Sequence, residues 1–188
     1  SHPFYGGGIF IANSDAILLS ALEIRNNYAK MYGAAINIWD GNIIADNLLI
    51  YANESDGSLF YFGGGGTATL KNSTIVDNKT NPIFGVGNND LIMTNSIIRY
   101  SNDLLNIGGN GTAIITYSNI EGGYTGTGNI DADPMFCDTL SYKYYATSPV
   151  VGTGENGVNM GAGGIGCDVP QAFEWVSSAL DTINITKT

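Results

Sequence analysis

Positive charge is scarce in this chain: 7 Lys and Arg stand against 17 Asp and Glu, a formal net charge of −10 over 188 residues. No cluster of Lys or Arg occurs anywhere, so the basic patch that a phosphate backbone requires is missing and nucleic acid is excluded as a partner. Histidine is rarer still. His2 stands alone, which removes histidine-based acid–base catalysis and multi-histidine metal sites. No apolar run reaches the roughly 18 residues of a membrane-spanning helix, and no basic amphipathic stretch suits an anionic lipid surface. Membrane insertion is therefore not expected. What is plentiful is glycine, with 26 residues, and apolar side chains, at 44%. That is one domain's worth of sequence with an adequate core.

The chain repeats itself. Ala21-Leu-Glu-Ile24, Asn47-Leu-Leu-Ile50, Asn72-Ser-Thr-Ile75, Asn95-Ser-Ile-Ile98 and Tyr117-Ser-Asn-Ile120 align on their last isoleucine, at spacings of 26, 25, 23 and 22 residues. Three residues after each isoleucine comes Asn27, Asn53, Asn78, Ser101 or Gly123, all types that favour turns. Eight to ten residues before it lies a second turn pair: Ser14-Asp15, Asp40-Gly41, Gly65-Gly66, Asn89-Asp90, Asn110-Gly111. Between these corners run short β-branched and aromatic segments such as Ile9-Phe-Ile11, Ile43-Ile44 and Leu59-Phe-Tyr-Phe62, too short for helices. A hairpin meander has no reason to repeat the same residue types at fixed places. A coil adding one turn per repeat does, with equivalent residues about 4.8 Å apart. The reading is an all-β parallel β-helix of about five to six coils.

Counting back from each isoleucine sorts the columns. Five and seven residues before it the columns are wholly apolar, Leu19/Ala45/Leu70/Met93/Ile115 and Ile17/Ile43/Ala68/Leu91/Ala113, and these form the core. Four before it the column is polar: Ser20, Asp46, Lys71, Thr94, Thr116. Six before it stand Leu18, Ile44, Thr69, Ile92 and Ile114, which strict alternation turns outward. Either this stripe is exposed and needs a cover, or the alternation slips by one and it is core. Phe173, Val176 and Leu180 have helical spacing behind Pro170, so a short C-terminal helix is expected over 170–180, packed on the body or capping one end.

Gly128-Asn-Ile-Asp-Ala-Asp-Pro-Met-Phe136, Ser148-Pro-Val-Val-Gly-Thr-Gly154 and Asn159-Met-Gly-Ala-Gly163 resemble the closing segment of secreted bacterial parallel β-helix proteins of the broad pectate-lyase-like group. The resemblance implies a right-handed coil, an extracellular or cell-surface setting, and a polysaccharide or surface glycan as frequent partner or substrate. It divides the chain into β-helix repeats over 1–128, a closing segment over 129–169, and a C-terminal helix and tail over 170–188. It also implies a monomeric module of a longer secreted chain. Cys137 and Cys167, 30 residues apart in the closing segment, fit that setting as a disulfide.

Catalytic material is thin. Arg25 and Arg99 share an outward column but lie three turns apart, roughly 14 Å, too far to act on one bond. Arg99 with Glu121, and Asp46 with Lys71, read as surface ion pairs between neighbouring rungs. Asp15 and Asp40 fall at adjacent corners and are the weak candidate pair for glycoside hydrolysis; the favoured reading of both is hydrogen bonding to local backbone in their turn dipeptides. Asp131, Asp133 and Asp138 form the densest acidic group, a candidate Ca²⁺ site without the regular spacing of a calcium loop. No other cofactor is implied. For binding, the chain has 11 Tyr and 2 Trp, and sugar rings stack on aromatic faces. Trp39, Asp40, Tyr51 and Tyr61 are the candidate ligand residues, with Asn37 and Asn42 near them and Tyr28 and Tyr32 extending the group. The expected function is a non-catalytic, glycan-binding or adhesive module; a polysaccharide lyase or glycoside hydrolase is the alternative, and a structural stalk the third.

Overall fold

The computed structural model describes residues 6–99 and 103–167 in full, and the backbone of 173–177 and 183–187. The chain is a parallel β-solenoid. One sheet stacks the long strands Ile9–Ser20, Ile36–Asp46, Phe60–Lys71 and Phe84–Thr94, and ends on Leu105–Ile107 and Ala113–Thr116. A second stacks Glu23–Arg25, Leu49–Tyr51, Thr74–Val76, Ile97–Arg99 and Asn119–Ile120. Between coils, Tyr28–Ala29 pairs with Glu54–Ser55 on a third side.

The register follows the repeat residue for residue. Ile24, Ile50, Ile75, Ile98 and Ile120 are successive partners in the second sheet, and all five are buried. In the long strands the partners run Leu19, Ala45, Leu70, Met93, Ile115 and Ile17, Ile43, Ala68, Leu91, Ala113, packed into one core. Phe60, Phe62 and Phe84 fill its middle, with Phe60 and Phe84 ring centroids 5.0 Å apart. The apolar stripe does face outward: Leu18 is 68% and Ile114 57% exposed, with Ile44 and Ile92 exposed between them. Alternation has not slipped.

Two internal ladders hold the corners. Asn27, Asn53 and Asn78 turn their side chains inward: Asn53 Oδ1 accepts from the Asn27 backbone N–H at 3.1 Å, and Asn78 Oδ1 from that of Asn53 at 3.0 Å. The amide of Asn53 donates to the Ile24 carbonyl at 2.9 Å and to that of Tyr51 at 3.0 Å. Across the coil, backbone N–H groups of Leu48, Ser73 and Ser96 donate to the hydroxyls of Ser73, Ser96 and Ser118, each at 3.2 Å. Asn129 Oδ1 continues the series, accepting from Ser118 N–H. Backbone bonds between coils continue through these corners, and the side chains supply acceptors for the N–H groups that the bend leaves without one.

Ile130 bridges to Asn119 and starts a sixth coil. The closing segment then runs back along the outside of the second sheet. That face is apolar enough to need covering, because Leu49, Val76 and Ile97 point away from the core there. Tyr144, Val150 and Met160 bury Ile97. Gly161 N–H donates to the Asn95 carbonyl and Ala162 N–H to Thr74 Oγ1. Cys137 and Cys167 form the disulfide, with Cα atoms 6.2 Å apart, tying the returning segment to itself.

The C-terminal helix is overturned where it is described. Phe173–Ser177 is a strand, paired antiparallel with Ile183–Lys187. Phe173, Trp175 and Ile183, Ile185 alternate at period two with β-branched neighbours, a pattern that favours extended pairing over three helically spaced positions. Whether Phe173, Val176 and Leu180 pack on the body lies outside the described residues. Helix among the described residues is confined to one 3₁₀ turn at Glu155–Gly157, and no described helix is long and apolar enough to cross a membrane.

Candidate functional site

Each long strand is bent by a corner, and the half before that corner carries the aromatic face. Its outward column reads Phe10, Asn37, Tyr61, Gly85, Asn106. The next outward place holds Ala12 and Trp39, then Gly63 and Gly87. Bulk thus sits on the early coils and glycine on the later ones. The rings lean over the glycines: a Cβ on Gly63 would lie 2.5 Å from Tyr61 Cε1 and 2.8 Å from Trp39 Cε3.

Tyr32 arrives from the connection between coils and stacks on Tyr61, centroids 4.7 Å apart at 24°. Trp39 lies 6.5 Å from Tyr61 at 28°, and is 49% exposed. Three aromatic rings on one outer surface form a platform. Beside it opens a groove of about 230 Å³ between Tyr32, Tyr61 and Asn106, with Gly85, Gly87 and Gly108 along it. Ser58 also lines this groove; its hydroxyl is buried and has no hydrogen-bond partner. Asn37, between Phe10 and Tyr61 in the column, is buried with neither amide atom bonded.

The structure therefore brings Trp39 and Tyr61 together, adds Tyr32, and separates the other two candidates. Asp40 sits at the corner with φ +61°, and its carboxylate accepts from Gly65 N–H at 2.8 Å. Asn42 likewise braces the corner, accepting from Thr67 N–H and donating to the Asp15 carbonyl. Tyr51 is on the second sheet, donating to Glu23 at 2.7 Å and packing against Tyr142 at 5.3 Å. That bond, with help from Arg25, lowers the Glu23 pKa.

The acidic group disperses into local roles. Asp131 pairs with Arg99 and accepts from Gly122 N–H. Asp133 caps Met135 N–H at 2.8 Å, and Asp138 accepts from the Ser141 hydroxyl and the Leu140 N–H, bonds that hold its carboxyl below the usual range. Among the described residues, the three ligand atoms that gather within 4.8 Å belong to Cys137, Asp138 and Cys167, and both sulfurs are spent in the disulfide. Asp46 and Lys71 are register partners, but Asp46 takes its bond from the Asn72 amide at 2.8 Å.

Ser58, Gly85, Gly87, Asn106 and Gly108 escaped sequence reasoning. The outward column lies 14, 13, 14, 13 and 14 residues before the aligned isoleucine, so fixed counting crosses the corner out of step. Aligning the aromatic halves separately, Ile9-Phe-Ile11 with Phe60-Tyr-Phe62 and Phe84-Gly-Val86, would have found it.

The fold and face define a parallel β-solenoid with a disulfide-tied return segment and an external aromatic platform. No family model, no curated protein and no solved structure matches the chain.

Proposed function

We propose that this protein is a non-catalytic, extracellular glycan-binding module, monomeric and part of a longer secreted chain, related to the pectate-lyase-like β-helix proteins that its closing segment resembles. The observation that carries the reading is the platform of Trp39, Tyr61 and Tyr32 beside a glycine-lined groove. Pyranose rings present apolar C–H faces to such rings and hydroxyls to neighbouring polar groups. The disulfide is compatible with an oxidising compartment. Asp40 accepts from Gly65 N–H in its corner, a bracing role that weighs against its use with Asp15 as a hydrolytic pair.

A glycan array with the purified protein, with and without Ca²⁺, followed by product analysis on each polysaccharide retained, tests this. Retention without cleavage is expected. Trp39→Ala should weaken it by roughly 1–2 kcal/mol, about five- to thirty-fold. Unsaturated or reducing-end products would establish an enzyme instead.

A further inference from the structure

We infer that the groove beside Tyr61 takes an uncharged pyranose and discriminates against uronates; this rests on the glycan-binding reading above. The polar side chains that line it are Tyr32, Tyr61, Ser58 and Asn106, all neutral donors and acceptors. Among the described residues no Lys or Arg lines it, so a uronate carboxylate would meet no cation and no charge-assisted bond there. The net charge of −10 further repels a polyanion at low salt.

The buried Ser58 hydroxyl is the second observation. A buried hydroxyl without a partner is costly, and one that lines a groove is completed by a ligand that both donates and accepts, as a sugar hydroxyl does. Gly85 puts no side chain beside that hydroxyl: a Cβ there would crowd Ser58 Oγ and Tyr61 Cδ2, each at 3.1 Å. At about 230 Å³ the groove falls below the roughly 300 Å³ where pockets for drug-sized ligands begin. It has room for one sugar ring.

The test is calorimetric titration of neutral gluco-, manno- and xylo-oligosaccharides against oligogalacturonates of equal length, at low and physiological salt. Two groove variants accompany the wild type, Ser58→Ala and Gly108→Leu. Gly108 suits a steric block because a Cβ there meets nothing within 4 Å and its φ is not left-handed; an unchanged melting curve confirms the fold. We expect a neutral oligosaccharide to bind at least about tenfold tighter than its uronide, and Gly108→Leu to weaken it about tenfold or more. Uronide binding that is equal or tighter, and lost in Gly108→Leu, would overturn the inference and leave the glycan-binding reading standing. Neutral binding untouched by Gly108→Leu would move the site elsewhere and overturn the inference. Binding of neither class would overturn both.

Discussion

Replacing Asn53 by alanine tests whether the inward asparagine ladder holds the coil together. Asn53 is fully buried, and its side chain serves three backbone groups: the N–H of Asn27 and the carbonyls of Ile24 and Tyr51. Truncation strips one partner from each. A buried group left without its bond costs roughly 1–3 kcal/mol. Asn27 belongs to the first coil and is half-buried, so water compensates it in part, while Ile24 is buried and pays the larger share. The sum is about 3–5 kcal/mol, and with about 2–4 °C per kcal/mol for a chain of this size the midpoint should fall by about 10 °C. Asn27→Ala is the control. It removes the Asn27 amide at 3.0 Å from Asn53 Oδ1 but leaves the backbone bond to Asn53 intact, so about 1 kcal/mol is expected. Thermal and urea unfolding of the oxidised protein give the midpoint and the free energy for both variants. Equal losses for the two variants would refute the claim that stacked, buried corner bonds stabilise the interior coils.

Two further outcomes follow from the return segment. Replacing Cys137 and Cys167 by serine opens a loop of 30 residues and should lower stability by roughly 3–4 kcal/mol on the chain-entropy model; hydrogen exchange should rise first over 138–162 and, because the coils melt together, in the long strands as well. Burial and the bond from its hydroxyl to Asp77 raise the Tyr142 pKa well above 10. The folded chain keeps that proton after the unfolded chain, near the usual tyrosine value of about 10, has lost it. This share of stability is fully present below pH ~10 and is lost as pH rises beyond it. Tyr142→Phe should flatten the alkaline stability slope relative to wild type, and identical slopes would remove Tyr142 from the account.

The core was legible because it is periodic: columns counted from five isoleucines reappear as register partners in both sheets. Asn27, Asn53 and Asn78 were read as turn residues, which their place at the corners bears out. Their inward ladder was not, because local turn chemistry and inter-coil bonding call for the same side chain. Trp39 and Tyr61, grouped from their neighbouring repeats, lie with ring centroids 6.5 Å apart. Tyr51 was grouped with them by sequence proximity alone, and the corner between strands sends it to a different sheet. The groove stayed hidden for the same geometric cause, one residue gained or lost at each corner. The C-terminal strand pair was missed because three apolar residues at helical spacing outweighed a two-residue alternation on both sides of 178–182.

A solenoid on its own is nearly one-dimensional: each coil touches only its neighbours, so end coils can fray while the middle persists. The return segment changes that connectivity. It starts at the last coil, beside Ile130 and Asn119, and engages Asn95 in the fourth, Thr74 and Asp77 in the third, and Tyr51 in the second. Ser141 and Gly163 reach the crevice lined by Leu22 and Glu23 of the first. One strap laces every coil to the far end, so no coil can leave the stack alone. Melting is thus expected as a single concerted event in place of stepwise unwinding, while Trp39 and Tyr61 stand on the long-strand sheet, outside the lacing.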